Sequence, residues 1–143
     1  KTPVVGRPIC SYKGFIFENT SIWLHHKLYP ILLRQKHLED SISLIQDLEN
    51  LQLSNHILLF TFDVESPYPS IPTPEGLHTL RKMVEGDFPL GELNLIMSLA
   101  SLTLHRNYLM FNGRCWQQMR GTAMGSNFVV VYTCLFLCFV KNM

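Results

Sequence analysis

Two stretches hold the residue types and spacings that could do chemistry. The first is Phe62-Asp63-Val64-Glu65-Ser66-Pro67-Tyr68-Pro69-Ser70-Ile71-Pro72. It follows an apolar run, Ile57 to Phe62, that reads as a buried strand ending at Asp63. A carboxylate at such a strand end is costly to bury unpaired, so it must meet water, a cation or hydrogen-bond donors. Magnesium suits the position, because it is held by one or two carboxylates together with substrate phosphates. The simpler role for Asp63 is to cap the turn that follows. The second stretch is Gln118-Met119-Arg120-Gly121-Thr122-Ala123-Met124-Gly125-Ser126. Its glycines allow a backbone to approach a ligand closely, and N–H groups at a helix start favour a phosphate or a base edge. Glycines there serve equally well as plain turn residues.

Both stretches need a scaffold, and hydrophobic periodicity supplies one. Residues 4 to 10 read as a short extended segment, with Pro8 biasing Arg7 away from helix. Asn19, Thr20 or Ser21 is placed to cap a helix through Ile22, Leu24, Leu28 and Leu32, which Pro30 is expected to kink or interrupt. Leu38, Ile42, Ile45 and Leu48 repeat at helical spacing, giving an amphipathic helix to about Leu51. Pro67, Pro69, Pro72 and Pro74 forbid regular structure until Pro74 starts a helix to about Glu85. Leu90 to His105 reads as a helix. Tyr108 to Phe111 and Arg114 to Gln118 flank Asn112-Gly113, the signature of a hairpin with a type I′ turn. The 121–125 loop then leads into a last, apolar helix over Phe128 to Val140. Helices interleaved with a few strands make the fold α+β, or a mixed α/β arrangement.

Composition agrees with a packed domain. Of 143 residues, 47% are hydrophobic and only 16% charged, which excludes a disordered chain and leaves apolar surface for neighbours to cover. Charge is unevenly distributed. Residues 1–92 carry eight Lys/Arg against eleven Asp/Glu, a net −3; residues 93–143 carry four Lys/Arg and no acid. Arg106, Arg114 and Arg120, with Tyr108 and Trp116, could therefore face a polyanion, or could be ordinary solvated side chains. Four cysteines, Cys10, Cys115, Cys134 and Cys138, form no C-x-x-C pair, so free thiols and an intracellular setting, nucleus or cytoplasm, are expected. No secretory leader is visible, and the run ending at Val140 is shorter than the roughly 20 residues of a spanning helix, so no membrane partner is expected.

Taken together the stretches resemble one family. FDVESPYPSIPTPEGL looks like motif A of reverse transcriptases and QMRGTAMGS like motif B. NYLMFNGRCWQQMRGTAMGS is especially similar to the reverse transcriptase domain of Penelope-like retroelements, and GRPICS with FENTS resembles the fingers motif upstream. DVESPYPSI also resembles motif A of replicative DNA polymerases, but their lysine-led motif B is missing.

The resemblance implies a partial right-hand polymerase fold. Residues 1–56 and 77–118 would be fingers-like, and residues 57–76 and 119–143 palm-like. It implies two-metal transfer of deoxynucleotides to a DNA primer on an RNA template, with Mg2+ as cofactor. Asp63 would be the catalytic metal ligand, joined by the Val64 carbonyl. Tyr68 would exclude a 2′-hydroxyl from beneath the incoming sugar, and Arg7 would clamp the triphosphate. Gln118 would touch the nascent base pair, and Gly121, Thr122, Gly125 and Ser126 the template. A core tyrosine and a surface cation are the plainer roles for Tyr68 and Arg7.

The pattern also breaks. The family needs a Y-x-D-D motif after motif B, yet no Asp or Glu follows Glu92. Glu65 would share a strand face with Asp63 but matches a variable family position. Pro67 stands where the family has Leu, Val129-Val130 replace Ala-Pro, and Thr133-Cys134 replace Ala-Asn. One carboxylate cannot organise two divalent ions, so the sequence predicts a reverse transcriptase fragment inactive alone, with both ends as truncation points. Its complement would be the rest of the palm, a thumb and an endonuclease domain. The rival expectations are a non-catalytic nucleic-acid-binding remnant and a purely structural one.

Overall fold

The computed structural model describes residues 11–35, 40–52, 56–58, 60–61 and 63–143. Six helices and one hairpin follow in chain order: α1 (Glu18–Leu33), α2 (Ser41–Glu49), α3 (Pro67–Ser70), α4 (Thr73–Val84), α5 (Leu90–His105), β1 (Tyr108–Phe111), β2 (Arg114–Gln117) and α6 (Asn127–Lys141). The result is α+β: a helical body carrying a two-stranded antiparallel sheet. The expected extended segment at 4–10, including Arg7, lies outside the described residues.

The core forms around α6. Its sequence is apolar on nearly every side, so it reaches low free energy only when several elements cover it. α1, α3 and α4 pack on it, and α5 closes the layer against α1 and α4. Phe128, Val131, Tyr132 and Leu135 are buried from α6, and Leu24, Leu28, Leu80, Val84, Ile96 and Ala100 meet them from the other helices. Two ion pairs brace this layer from outside, Lys27–Glu92 at 2.7 Å and Arg34–Asp87. Burial pushes the Cys134 thiol up, with Cys138 adding to the effect; burial also raises Cys138, against the opposing pull of Lys141.

Helix α1 differs from expectation at both ends of its argument. It begins at Glu18 with Phe17 in the cap position, and Ser21 lies inside it, fully buried. It also runs through Pro30 without stopping. Proline removes the bond to the His26 carbonyl, but both residues are exposed, so water can satisfy that carbonyl. α4 begins at Thr73, one residue before the expected Pro74, and contains Gly76 for a packing reason. A Cβ at that position would lie 1.6 Å from the Tyr132 hydroxyl oxygen and 2.9 Å from a methyl of Ile71. Glycine lets α4 and α6 approach where Tyr132 crosses.

Among the described residues of the expected buried strand over 57–62, no strand forms. Ile57, Leu58 and Phe60 are exposed, and the sheet consists of β1 and β2 alone; Leu59 and Phe62 lie outside the described residues. A strand is stable only when another strand takes up its N–H and C=O groups, and no such partner exists among the described residues. α2 forms as its periodicity requires, capped by the Asp40 carboxylate accepting from the Ser43 N–H at 2.8 Å. Its apolar residues stay exposed, so the face that predicted the helix covers nothing in the body. The hairpin pairs Tyr108 with Gln117 and Phe111 with Arg114, and Asn112 and Gly113 take φ of 51° and 71°, the two positive values of a type I′ turn. Among the described residues no helix is long and apolar enough to cross a membrane.

Two outcomes follow from this packing. Gly76→Ala gains helix propensity but forces Tyr132 aside, so urea unfolding should register a loss of about 1–3 kcal/mol. Adding Tyr132→Phe should recover part of it by removing the hydroxyl oxygen nearest the new methyl. Burial also pushes the Tyr12 phenol up to about 12, a neighbouring Ser126 hydroxyl opposing, and raises Tyr132 in the same sense. A phenol raised on folding stabilises fully below its unfolded value of about 10, and that contribution is lost as pH rises from there through the folded value. The melting temperature should therefore fall between about pH 10 and 12, more steeply than in a Tyr12→Phe/Tyr132→Phe chain.

Candidate functional site

The two chemistry-bearing stretches meet, and the contact is specific. The Tyr68 carbonyl accepts two hydrogen bonds from Thr122, one from its backbone N–H at 2.8 Å and one from its hydroxyl at 3.0 Å, across 54 residues of sequence. Beside it Gly121 lies against Pro69. A Cβ on Gly121 would sit 2.4 Å from the Pro69 Cα, and the residue has φ of +69°, which side chains disfavour. The proline-rich turn makes this possible. Pro67 opens the four-residue α3, Ser66 precedes it in the left-handed region, and the Ser70 hydroxyl closes it by donating to the Ser66 carbonyl at 2.8 Å.

Asp63 stands upstream of this junction, exposed to solvent. Its Oδ1 accepts the Val64 N–H at 2.9 Å, so the carboxylate organises its own turn and leaves Oδ2 without a protein partner among the described residues. Both readings of Asp63, turn former and metal ligand, draw on that geometry. Among the described residues no three His, Cys, Asp or Glu side chains gather in a metal-binding group. The residues present thus supply one carboxylate and the Val64 backbone, which is an incomplete donor set for a pair of divalent ions.

Downstream, the glycine loop is anchored at both ends. The Gln118 N–H donates to the Asn107 carbonyl at 2.9 Å, and its side-chain amide donates to the Arg120 carbonyl at 2.8 Å. At the other end Ser126 is buried, and its hydroxyl lies 2.7 Å from that of Ser21 in α1. Ser21 in turn accepts the Phe128 N–H at 3.0 Å. A residue of α1 therefore caps α6, a task usually done by the residue just before a helix. Beside the loop is a small recess lined by Tyr12, Phe15, Asn107, Tyr108, Gln118 and Ala123 among others. The Tyr12 hydroxyl and Asn107 Oδ1 are both buried there, without a hydrogen bond of normal geometry among the described residues.

The residues singled out from sequence divide by accessibility. Gly121, Thr122 and Ser126 are buried, and both hydroxyls are committed to the protein's own framework. Gln118 is half-buried, Gly125 exposed, and Tyr68 half-buried with its ring packed against the core. Asp63, Val64, Arg106, Arg114, Trp116 and Arg120 are exposed. Arg7 lies outside the described residues. Sequence reasoning missed Ser21 as a support of the loop. The available signal was a small hydroxyl residue on the stripe that also holds Leu24 and Leu28.

Thr122→Val removes one of the two bonds to Tyr68 and should lower stability by about 1 kcal/mol. Gly121→Ala meets backbone strain and the Pro69 backbone together and should cost about 3 kcal/mol or more. Urea midpoints followed by tryptophan fluorescence rank the two; equal small losses would mean that the junction does not hold the loop.

No family model matches the chain, and neither the curated proteins nor the solved structures contain a match.

Proposed function

We propose that this chain is part of an RNA-directed DNA polymerase of the Penelope-like retroelement class, carrying fingers and palm segments but not a complete catalytic centre. The observation that carries the reading is the pair of hydrogen bonds from Thr122 to the Tyr68 carbonyl. Motif A and motif B of a polymerase must lie side by side, because one serves the metal and sugar and the other the base pair and template. Two stretches that resemble those motifs are joined here through the residues of the resemblance itself.

In this reading Asp63 contributes one ligand of the two-metal centre, and its exposed carboxylate suits that task. The remaining carboxylates come from outside residues 93–143, which contain none. Tyr68 has its backbone fixed by Thr122 and its ring supported by the core, so it offers a rigid surface to an incoming sugar. Gln118 and Gly125 are the accessible members of the loop, whereas Thr122 and Ser126 shape it. Binding without catalysis is the second reading. It is favoured by the exposure of Tyr108, Arg114 and Trp116 on the hairpin, side chains suited to phosphates and stacked bases.

Primer extension on an RNA template tests the first reading. Residues 1–143 alone should extend nothing. A version continued through whatever coding sequence follows should extend with deoxynucleotides and magnesium, and Asp63→Asn should reduce that rate at least ~100-fold. Activity from residues 1–143 alone, or activity indifferent to Asp63→Asn, would refute it.

A further inference from the structure

A second surface shares no residue with the junction of Tyr68 and Thr122. Between α4 and α5 lies an open groove of about 740 Å3, lined by Leu77 and Arg81 from α4 and by Asn94, Met97, Leu102, His105 and Arg106 from α5 and its end, among others. Among the described residues no carboxylate lines it, while two arginines do. Here the ion pairs among the described residues use Lys27 and Arg34, and among those residues the guanidinium groups of Arg81 and Arg106 have no carboxylate, carbonyl or aromatic partner. Arg106 follows the last turn of α5, where a cation often bonds the terminal carbonyls. Its side chain makes no such bond, and His105 serves that turn instead, its Nδ1 lying 2.8 Å from the Ser101 carbonyl. Because a carbonyl only accepts, Nδ1 carries the hydrogen and Nε2 is the ring nitrogen left over.

We infer that this groove binds the phosphodiester backbone of a single-stranded nucleic acid, with Arg81 and Arg106 as the phosphate ligands. Charge complementarity selects the ligand: two arginines without an ion-pair partner among the described residues line one groove where no described carboxylate competes, and a guanidinium can hold two phosphate oxygens at once. Shape selects a strand over a small phosphate. The groove is open rather than enclosed, so a chain can run along it, and Leu77, Met97 and Leu102 give apolar surface for the sugars and bases between charges. This inference stands apart from the polymerase reading, since a chain with no catalytic role would present the same groove.

Fluorescence anisotropy with a labelled oligo(dT) or oligo(U) of ~12 nucleotides, a length within the usual single-strand site size, tests it on the whole chain across a salt series. Arg81→Gln and Arg106→Gln should each weaken binding about fivefold and reduce the dependence of log Kd on log salt by about 0.7, one single-strand phosphate contact apiece. Arg81→Lys should restore the salt slope but only part of the affinity, because lysine keeps the charge and loses the fork. Lys13→Gln, at an exposed cation that does not line the groove, should change neither quantity. Inorganic phosphate, matched to the phosphate concentration of the oligonucleotide, should leave the complex intact. Both arginines are exposed, so far-UV circular dichroism should be unaltered in every variant. The inference is overturned if the wild-type chain binds no oligonucleotide at low salt, or if the double Gln variant binds as tightly as wild type. Equal losses in the arginine variants and in Lys13→Gln would overturn it in favour of diffuse charge, and displacement by matched phosphate would overturn it in favour of a small anion.

Discussion

The N-terminus of α6 is buried, and a buried helix start must find acceptors for its N–H groups within the protein. Ser21 of α1 provides one at 3.0 Å from the Phe128 nitrogen, and its hydroxyl also meets Ser126. This interaction sets how α1 and α6 lie against each other, which in turn fixes where the loop before α6 begins. From Ser126 the chain runs back to Thr122, whose two bonds to the Tyr68 carbonyl hold the proline-rich turn. Core and candidate site are thus one connected system. A loop that would be slack on its own is pinned at one end by a helix cap and at the other by a backbone carbonyl.

The same economy explains why the loop's hydroxyls do not face solvent. A glycine-bounded loop with two hydroxyl residues reads naturally as a ligand cradle. In the folded chain those hydroxyls satisfy buried polar groups that would otherwise cost about 1–3 kcal/mol each. What the loop can offer a ligand is its backbone near Gly125 and the half-buried amide of Gln118. Rigidity of this kind suits the template-positioning role proposed above for the loop, since an error of an ångström in placement is costly in a transfer reaction.

Most of the helices and the hairpin were legible in the sequence, because each has a local cause. The Asn112-Gly113 turn demands positive φ twice and obtains it, and the stripe Leu24, Leu28, Leu32 buries as its spacing requires. Errors arose where the cause is remote. Ile57 to Phe62 has the composition of a buried strand, but strands depend on neighbours that no local pattern can supply. Pro30 breaks a helix in isolation, yet packing of Leu24, Leu28, Ile31 and Leu32 carries α1 across it. Of the site, no local pattern in either stretch points to the contact between Thr122 and the Tyr68 carbonyl. The role of Ser21, 105 residues from the serine it meets, was not legible at all.

The half-buried thiols of α6 have a consequence for how this protein can be handled and watched. Cys115 on the hairpin is exposed, whereas Cys134 and Cys138 are partly covered and held in the protonated form that reacts poorly. Of the three cysteines among the described residues, an alkylating reagent will therefore mark Cys115 of the hairpin first and reach the last helix only when that helix lifts from its neighbours. The order of labelling reads out the opening of the core directly, with no probe added.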